Sequence, residues 1–498
     1  MHMPRVLKIN MADNVVVALE AIDEGANVIV DGAKITILQA IPRGHKIAIK
    51  PIKKSEHIIK YGFAIGHAKE DINVGEHVHT QNIKTNLSGV LSYSYEPRFS
   101  KNPYENRNLT FKGYRRKNGE VGIRNDLFIV PTVGCVNGIA ELVKKEVLEK
   151  YGDSFPFEDI QVLSHQYGCS QLGDDHVQTV AILADAVLHP NAGGVLIMGL
   201  GCENNIVEEF EKKLGDYDTS RIKILSIQSV KNEIDASLAL IDNIIEVARH
   251  DTRVEVPLSA LRIGLKCGGS DGFSGITANP LLGQFSDFLV AQGGTTVLTE
   301  VPEMFGAEEI LMSRAKNSEI FEKTVHLIND FKEYFMRYNQ PVYENPSPGN
   351  KDGGISTLED KSLGCTQKAG TSEVVDVLGY ADRIENSGLN LLSAPGNDLV
   401  AASALASSGC HMVLFTTGRG TPFGSYVPTM KISTNTPLYE NKPHWIDFNA
   451  GQLLDGCSME AVLEEFIQYI INVSSGELVN NEKNNFREIA IFKDGVTL

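Results

Sequence analysis

Hydrophobic positions fall into two regimes along this chain. Over the first ninety-odd residues they form short β-type runs, at 15–19, 26–30 and 34–38, separated by turn signals at Gly25 and Asp31-Gly32. Further short apolar pieces follow at 46–49 and 76–80. This pattern predicts a small β domain with few helices, ending near Tyr95, and the stretch 96–103 reads as a linker. From Phe111 the pattern changes. A continuous apolar strand, 127–133, leads through Gly134-Cys135-Val136-Asn137-Gly138 into a helical stretch, 139–150. The unit returns as strand 160–164, loop 167–175 and helix 177–188, then as strand 194–198, loop 199–205 and helix 206–214. A further block starts near Leu261, with strands at 262–265, 295–298, 390–393 and 411–416 and a helix over 320–338. Buried strands alternating with helices of this length predict βαβ units. The expected fold class is therefore α/β: a small N-terminal β-rich domain (1–95), a linker (96–112), and two α/β domains with mainly parallel sheets (113–255 and 256–498). The Gly/Lys/Asp-rich segment 349–370 lacks periodicity and predicts a long loop, a length usually tied to function.

Composition narrows the function classes. A chain of 498 residues with 42% hydrophobic and 22% charged residues is ordinary for a protein of several soluble domains. No apolar run approaches the ~18 residues that would cross a bilayer, and residues 1–8 lack a signal-peptide layout. Seven cysteines, an odd number without a dense framework, fit reduced thiols. The expectation is a cytoplasmic protein. A net charge of −17 disfavours nucleic acid or an anionic membrane as partner. Binding a small anion would then require locally gathered positive charge.

Two sets of residues could carry chemistry. Cys135, Cys169, Cys202 and Cys267 each sit beside glycine after a strand, and ligands bind outside the carboxyl ends of strands in open α/β sheets. Thiolates suit iron, iron–sulfur clusters or zinc, although each cysteine alone reads equally as a small residue in a tight corner. His77 and His79 flank Val78, so on a strand both imidazoles point to one face, and His45 or His67, each after a glycine, can approach them. The bland alternative is an exposed polar face. The glycine-rich stretches lack a dinucleotide fingerprint and a Walker lysine, which leaves nucleotide binding weakly supported. Among further polar loop residues, His165 and His176 bracket Cys169 as alternative bases. Lys351 and Lys368 lie around Cys365, Arg419 follows another strand, and Arg124 belongs to the densest basic cluster. These are candidates for holding a carboxylate.

The motifs Pro131-Thr132-Val133-Gly134-Cys135, His165-Gln166-Tyr167-Gly168-Cys169, Gly199-Leu200-Gly201-Cys202-Glu203-Asn204, Cys267-Gly268-Gly269-Ser270-Asp271 and Gly364-Cys365-Thr366-Gln367-Lys368 resemble the altronate/galactarate dehydratase family. Gly44-His45-Lys46 and His77-Val78-His79 resemble that family's SAF-type β domain, and the likeness runs nearly the whole length. The resemblance implies removal of water from D-altronate to give 2-dehydro-3-deoxy-D-gluconate in hexuronate breakdown. It also implies an Fe2+ requirement, with Mn2+ as the other divalent candidate and an iron–sulfur cluster left open. On this reading His45 and His79 act in metal binding or proton transfer, with His77 as companion. The competing iron site is Cys135, Cys169, Cys202, Cys267 and Cys365. Arg124, Lys351, Lys368 and Arg419 are the expected substrate-binding cations, for a small aldonate and a chain free to form a homo-oligomer. A lyase for galactarate or another α-hydroxy acid is the nearest alternative, and a non-catalytic sugar-acid-binding protein the alternative of another class.

Overall fold

The structure is a computed structural model and describes residues 3–498. Residues 3–86 contain strands and no helix among the described residues. One antiparallel sheet runs in the order Val6–Leu7, Val15–Ala18, Lys46–Ala48, His77–Val78. A hairpin, Asn27–Val30 with Ala33–Thr36, and a three-stranded unit, His57–Lys60, Phe63–Ala68 and Ile83–Lys84, complete it. Two separate aliphatic clusters fill this domain, and one of them takes in Ala307 and Leu363 from the C-terminal part. The small β domain is thus packed onto the rest of the molecule.

The middle of the chain forms a four-stranded parallel sheet, ordered Ile160–Val162, Asp126–Pro131, Ala192–Gly199, Ile222–Ser226. A seven-stranded sheet follows, ordered Val374–Leu378, Gly388–Leu392, Thr295–Leu298, Arg262–Cys267, Met412–Thr417, Thr429–Ser433, Phe448–Asn449, and every pairing in it is parallel. Parallel strands need crossover helices on both faces. Helices Gly173–Val187, Val207–Leu214 and Asp398–Ser407 lie between the sheets, where residues from both merge into one buried cluster around Phe128, Val195, Leu405 and Val413. No helix is long and apolar enough to cross a membrane.

The segment expected to be a long loop is largely helical. Pro348–Asp352 and Leu358–Cys365 are helices, and 366–369 is a 3-10 turn. All eight residues of Leu358–Cys365 are buried, so no apolar stripe alternates with a wet face, and periodicity had nothing to report. Its start is nevertheless chemically marked: Thr357 caps the Asp360 N–H, and Glu359 and Asp360 occupy the first turn. Strands Ile222–Ser226, Val374–Leu378 and Thr429–Ser433, and the antiparallel set Thr110–Arg115, Val121–Gly122 and Val254–Pro257, were also not anticipated. The helix after Cys169 begins at Gly173, four residues before the expected 177, because Asp174 and Asp175 are polar first-turn residues outside the apolar pattern.

Candidate metal centre and the polar cluster beside it

The Gly44-His45 turn is pressed between two loops of the C-terminal domain. A Cβ on Gly272 would lie 2.1 Å from the Gly44 carbonyl, and one on Gly354 2.3 Å from it, so both positions demand glycine. This approach sets His45 against helix Pro348–Asp352, where its Nε2 meets the Asp352 carbonyl at 3.1 Å. A carbonyl can only accept. The proton is therefore on Nε2, and Nδ1 turns its lone pair toward His77 Nε2, 2.9 Å away.

Strand pairing Ile47↔His77 brings the second histidine beside the first, and the alternation read from the sequence places His79 on the same side. Ring centroids are 5.1 Å apart for His45–His77, 4.7 Å for His45–His79 and 5.5 Å for His77–His79. Asn82 fixes the turn by accepting the His79 N–H and donating to the His77 carbonyl. One ring nitrogen from each histidine lies within 4.8 Å of the other two. Burial pushes His77 down to about 4 and His79 down to about 3, with Lys46 and the neighbouring imidazoles adding to it, and His45 is lowered chiefly by burial. The rings are neutral at physiological pH, the form that ligates metals. His79 Nδ1 is buried without a partner, and the His45–carbonyl bond is the kind of support metal-bound imidazoles use. The set fits a divalent ion. His67 stays apart, its Nδ1 bonded to Asn86.

Behind the triad, Lys46 and Lys60 bind the two oxygens of Asp360 at 2.8 and 2.9 Å, all three side chains being buried. The two ammoniums hold Asp360 well below the usual carboxylate range against the pull of burial, while burial drops Lys46 to about 8. Consecutive residues of one helix thus face both ways. Glu359 accepts from Thr85 and Asn86, Asp360 from Lys46 and Lys60, and Lys361 turns to the C-terminal sheet.

There Lys361 Nζ donates to Glu303 at 2.6 Å, and Cys267 ends the central strand with its sulfur 2.9 Å from Glu303 and 3.4 Å from Cys365. Lys266 bridges Glu300 and Asp398, and Lys368 lies 3.5 Å from Glu300. Burial opposes charge on Glu303, but Lys361 and Lys368 bring it down to about 2. A hydrogen bond from Cys365, with the two lysines, moves Cys267 to about 6, and the shared bond raises Cys365. A thiolate cannot donate, so the 2.9 Å contact to a charged Glu303 requires a proton on Cys267 sulfur. With both thiols protonated, Lys361 is matched by Glu303 and Lys266 by Asp398, while burial raises the Glu300 carboxyl despite Lys266 and Lys368 beside it. Cys267, Glu303 and Cys365 also bring three ligand atoms within 4.8 Å, but each has a hydrogen-bond partner within the cluster, whereas His79 Nδ1 has none.

Several sequence candidates sit elsewhere. Arg124 is 1% exposed and uses all five donors, on Glu482 and the carbonyls of Ile123, Val473 and Glu477, leaving none for a substrate. Its density of nearby charge in sequence gave no hint of that burial. We expect Arg124→Ala to lower the melting temperature, through about 3–5 kcal/mol for orphaning Glu482, while KM stays unchanged; a raised KM with full stability would overturn this assignment. His165 is also fully committed: Nε2 donates to the Pro131 carbonyl and Nδ1 accepts from Tyr167 N–H. His176 lies in helix Gly173–Val187, with no hydrogen bond or ring contact to the triad among the described residues. Lys368 is 1% exposed and committed to Glu300. Among the described residues Lys351 and Arg419 have no ion-pair partner; Gly353 follows the helix of Lys351 and packs on Asp271, and Arg419 N–H donates to the Gly269 carbonyl. The five cysteines do not form one site. Cys267 and Cys365 are buried together, whereas Cys135, Cys169 and Cys202 are exposed on the middle sheet. Lys361 was read only as one of the basic residues around Cys365, and Glu303 and Asp360 were not singled out in sequence, since a buried ion pair carries no local pattern.

Comparison with known proteins matches this architecture along its length. The family described as altronate/galactarate dehydratase SAF domain matches residues 4–86, the D-galactarate dehydratase/altronate hydrolase second domain matches 113–249, and the D-galactarate/altronate dehydratase C-terminal domain matches 258–497. The chain is 63% identical over 493 residues to the altronate dehydratase of Bacillus subtilis (strain 168) and 55% identical over 492 residues to that of Escherichia coli (strain K12), covering 99% of each chain in both cases. It is 33% identical to the galactarate dehydratase (L-threo-forming) of Escherichia coli (strain K12), over 95% of this chain and 93% of the relative. The chain belongs to the altronate/galactarate dehydratase family of hydro-lyase enzymes.

Proposed function

We propose that this protein is an altronate dehydratase that removes water from D-altronate to give 2-dehydro-3-deoxy-D-gluconate, with Fe2+ held by His45, His77 and His79. Identity above half to two altronate dehydratases, end to end, supports the substrate. The observation that carries the metal site is the set of three neutral imidazoles within reach of one ion, one of them with a buried, unpartnered nitrogen.

The proton on C2 of an aldonate is very weakly acidic, because its removal places negative charge beside a carboxylate. A divalent ion, when bound, supplies Lewis acidity toward the carboxylate and 2-hydroxyl oxygens. The chain supplies the rest. Lys351 and Arg419, the two candidate cations without a carboxylate partner, take the substrate carboxylate. The C2 proton goes to a base, the C3–O bond breaks, and the departing hydroxide leaves as water with one proton. The resulting enol tautomerises to the 2-keto acid, so atoms balance without an oxidant. The closely fitted glycines at 44, 272 and 354 hold the His45 turn against the C-terminal domain.

The test is keto-acid formation from altronate, galactarate and sulfolactate by anaerobic protein, metal-stripped and then reloaded with Fe2+ or Mn2+. We expect altronate to be the preferred substrate, no turnover after stripping, and recovery with Fe2+. Full-rate turnover by stripped protein, or a preference for galactarate, overturns the proposal.

A further inference from the structure

The middle sheet carries a second arrangement that the histidine site does not use. Its strands Ile160–Val162, Asp126–Pro131 and Ala192–Gly199 are neighbours and run parallel. The loops at their carboxyl ends carry Cys169, Cys135 and Cys202, so three thiols share one edge, with neighbouring strands about 4.8 Å apart. Each follows a glycine, and two of these glycines are required by contact between loops. A Cβ on Gly168, whose φ is +100°, would lie 2.1 Å from the Thr132 carbonyl, and one on Gly134 2.6 Å from the His165 carbonyl. The loops are also tied directly: Gly134 N–H donates to the Tyr167 carbonyl, Asn205 N–H to the Gly168 carbonyl, and Ser170 N–H to Asn204. All three cysteines are exposed, which is unusual for this residue.

We propose that Cys135, Cys169 and Cys202 are the three protein ligands of an iron–sulfur cluster, distinct from the histidine site. Thiolates around one tetrahedral ion at about 2.3 Å stand roughly 3.8 Å apart. Among the described residues, the groups that bring three ligand atoms within 4.8 Å are the histidine set and the Cys267 set, so the three edge sulfurs are spread more widely than a single ion allows. A polynuclear cluster does not need its thiolates that close, because each binds a different iron. Three cysteines leave one iron of a four-iron cluster open to an oxygen ligand from outside the chain. The edge offers matching acceptors. Asn137 and Asn205 donate their amide N–H groups to the His165 and Thr132 carbonyls, while their side-chain oxygens stay buried and unpartnered. Gln228 Nε2, 3.7 Å from Cys202 sulfur, supplies the N–H···S support such sites use.

Full-length protein, reconstituted anaerobically with Fe2+ and sulfide, tests this through acid-labile sulfide, iron content, visible absorption and EPR after reduction. Wild type, Cys457→Ser and the Cys267→Ser/Cys365→Ser pair should hold iron with labile sulfide. Cys135→Ser, Cys169→Ser and Cys202→Ser should each lose at least about tenfold of it, with thermal melts establishing that they fold. Retention by the triple serine variant overturns the proposal, as does loss that follows Cys267 and Cys365, or iron bound by folded wild type without sulfide. Because sulfide content is read without substrate, failure here is separable from failure of the altronate assignment.

Discussion

His79→Ala is expected to lower metal-dependent turnover by well over 100-fold and to reduce iron bound outside any cluster. Loss of an outer-shell partner alone commonly costs 10–100-fold in affinity or activity, and His79 is proposed as a direct ligand. Its Nδ1 has no hydrogen-bond partner among the described residues, and the ligand group there consists of the three histidines. Cys267→Ser and Cys365→Ser should keep that iron, because the carboxylates beside them are held by lysines already. His67→Ala, at a ring bonded to Asn86 on the surface, should leave turnover unchanged. Turnover preserved in His79→Ala but lost in Cys267→Ser would move the metal to the Cys267–Glu303–Cys365 set.

Asp360→Ala should be the most damaging single change to stability. It strands two buried ammoniums, and breaking a buried ion pair from one side costs about 3–5 kcal/mol. At roughly 2–4 °C per kcal/mol for a domain of this size, the melting temperature should fall by about 10 °C. Asp360→Asn should be milder, since an amide oxygen still accepts one bond and Lys46, already at about 8, can shed its proton. The pH dependence has a definite sign. Asp360 is depressed in the folded protein, so its contribution is complete above the ordinary carboxylate pKa near 4 and is lost as pH falls below it. Melting curves from pH 7 to 3 should therefore draw closer for wild type and Asp360→Ala toward the acid end without meeting, because the folded carboxyl titrates well below the ordinary range. A constant gap across that range would place the carboxylate's contribution elsewhere.

The position of Asp360 also explains the division between what is legible in the sequence and what is not. The strand–glycine–cysteine units, the short β runs and the His77-Val78-His79 spacing are local, and periods of two or 3.6 residues reveal which side of an element is buried. The fold class follows from these, and so does the pairing of His77 with His79 on one side of a strand.

The sequence by itself thus determined many of the elements, their mainly parallel arrangement and the residue types able to bind a metal. Tertiary structure alone decided which of them meet. Lys46 and Asp360 are 314 positions apart, and His45 reaches the Asp352 carbonyl across 307. The helix Leu358–Cys365 hid itself because burial on every side erases the polar face that periodicity detects. Arg124 and Lys368 looked like substrate cations because a charge in sequence gives no sign of the distant carboxylate that takes it. Local pattern records which groups avoid water; closure of the chain decides which charges neutralise each other, and it buried Cys267 with Cys365 while leaving Cys135, Cys169 and Cys202 exposed.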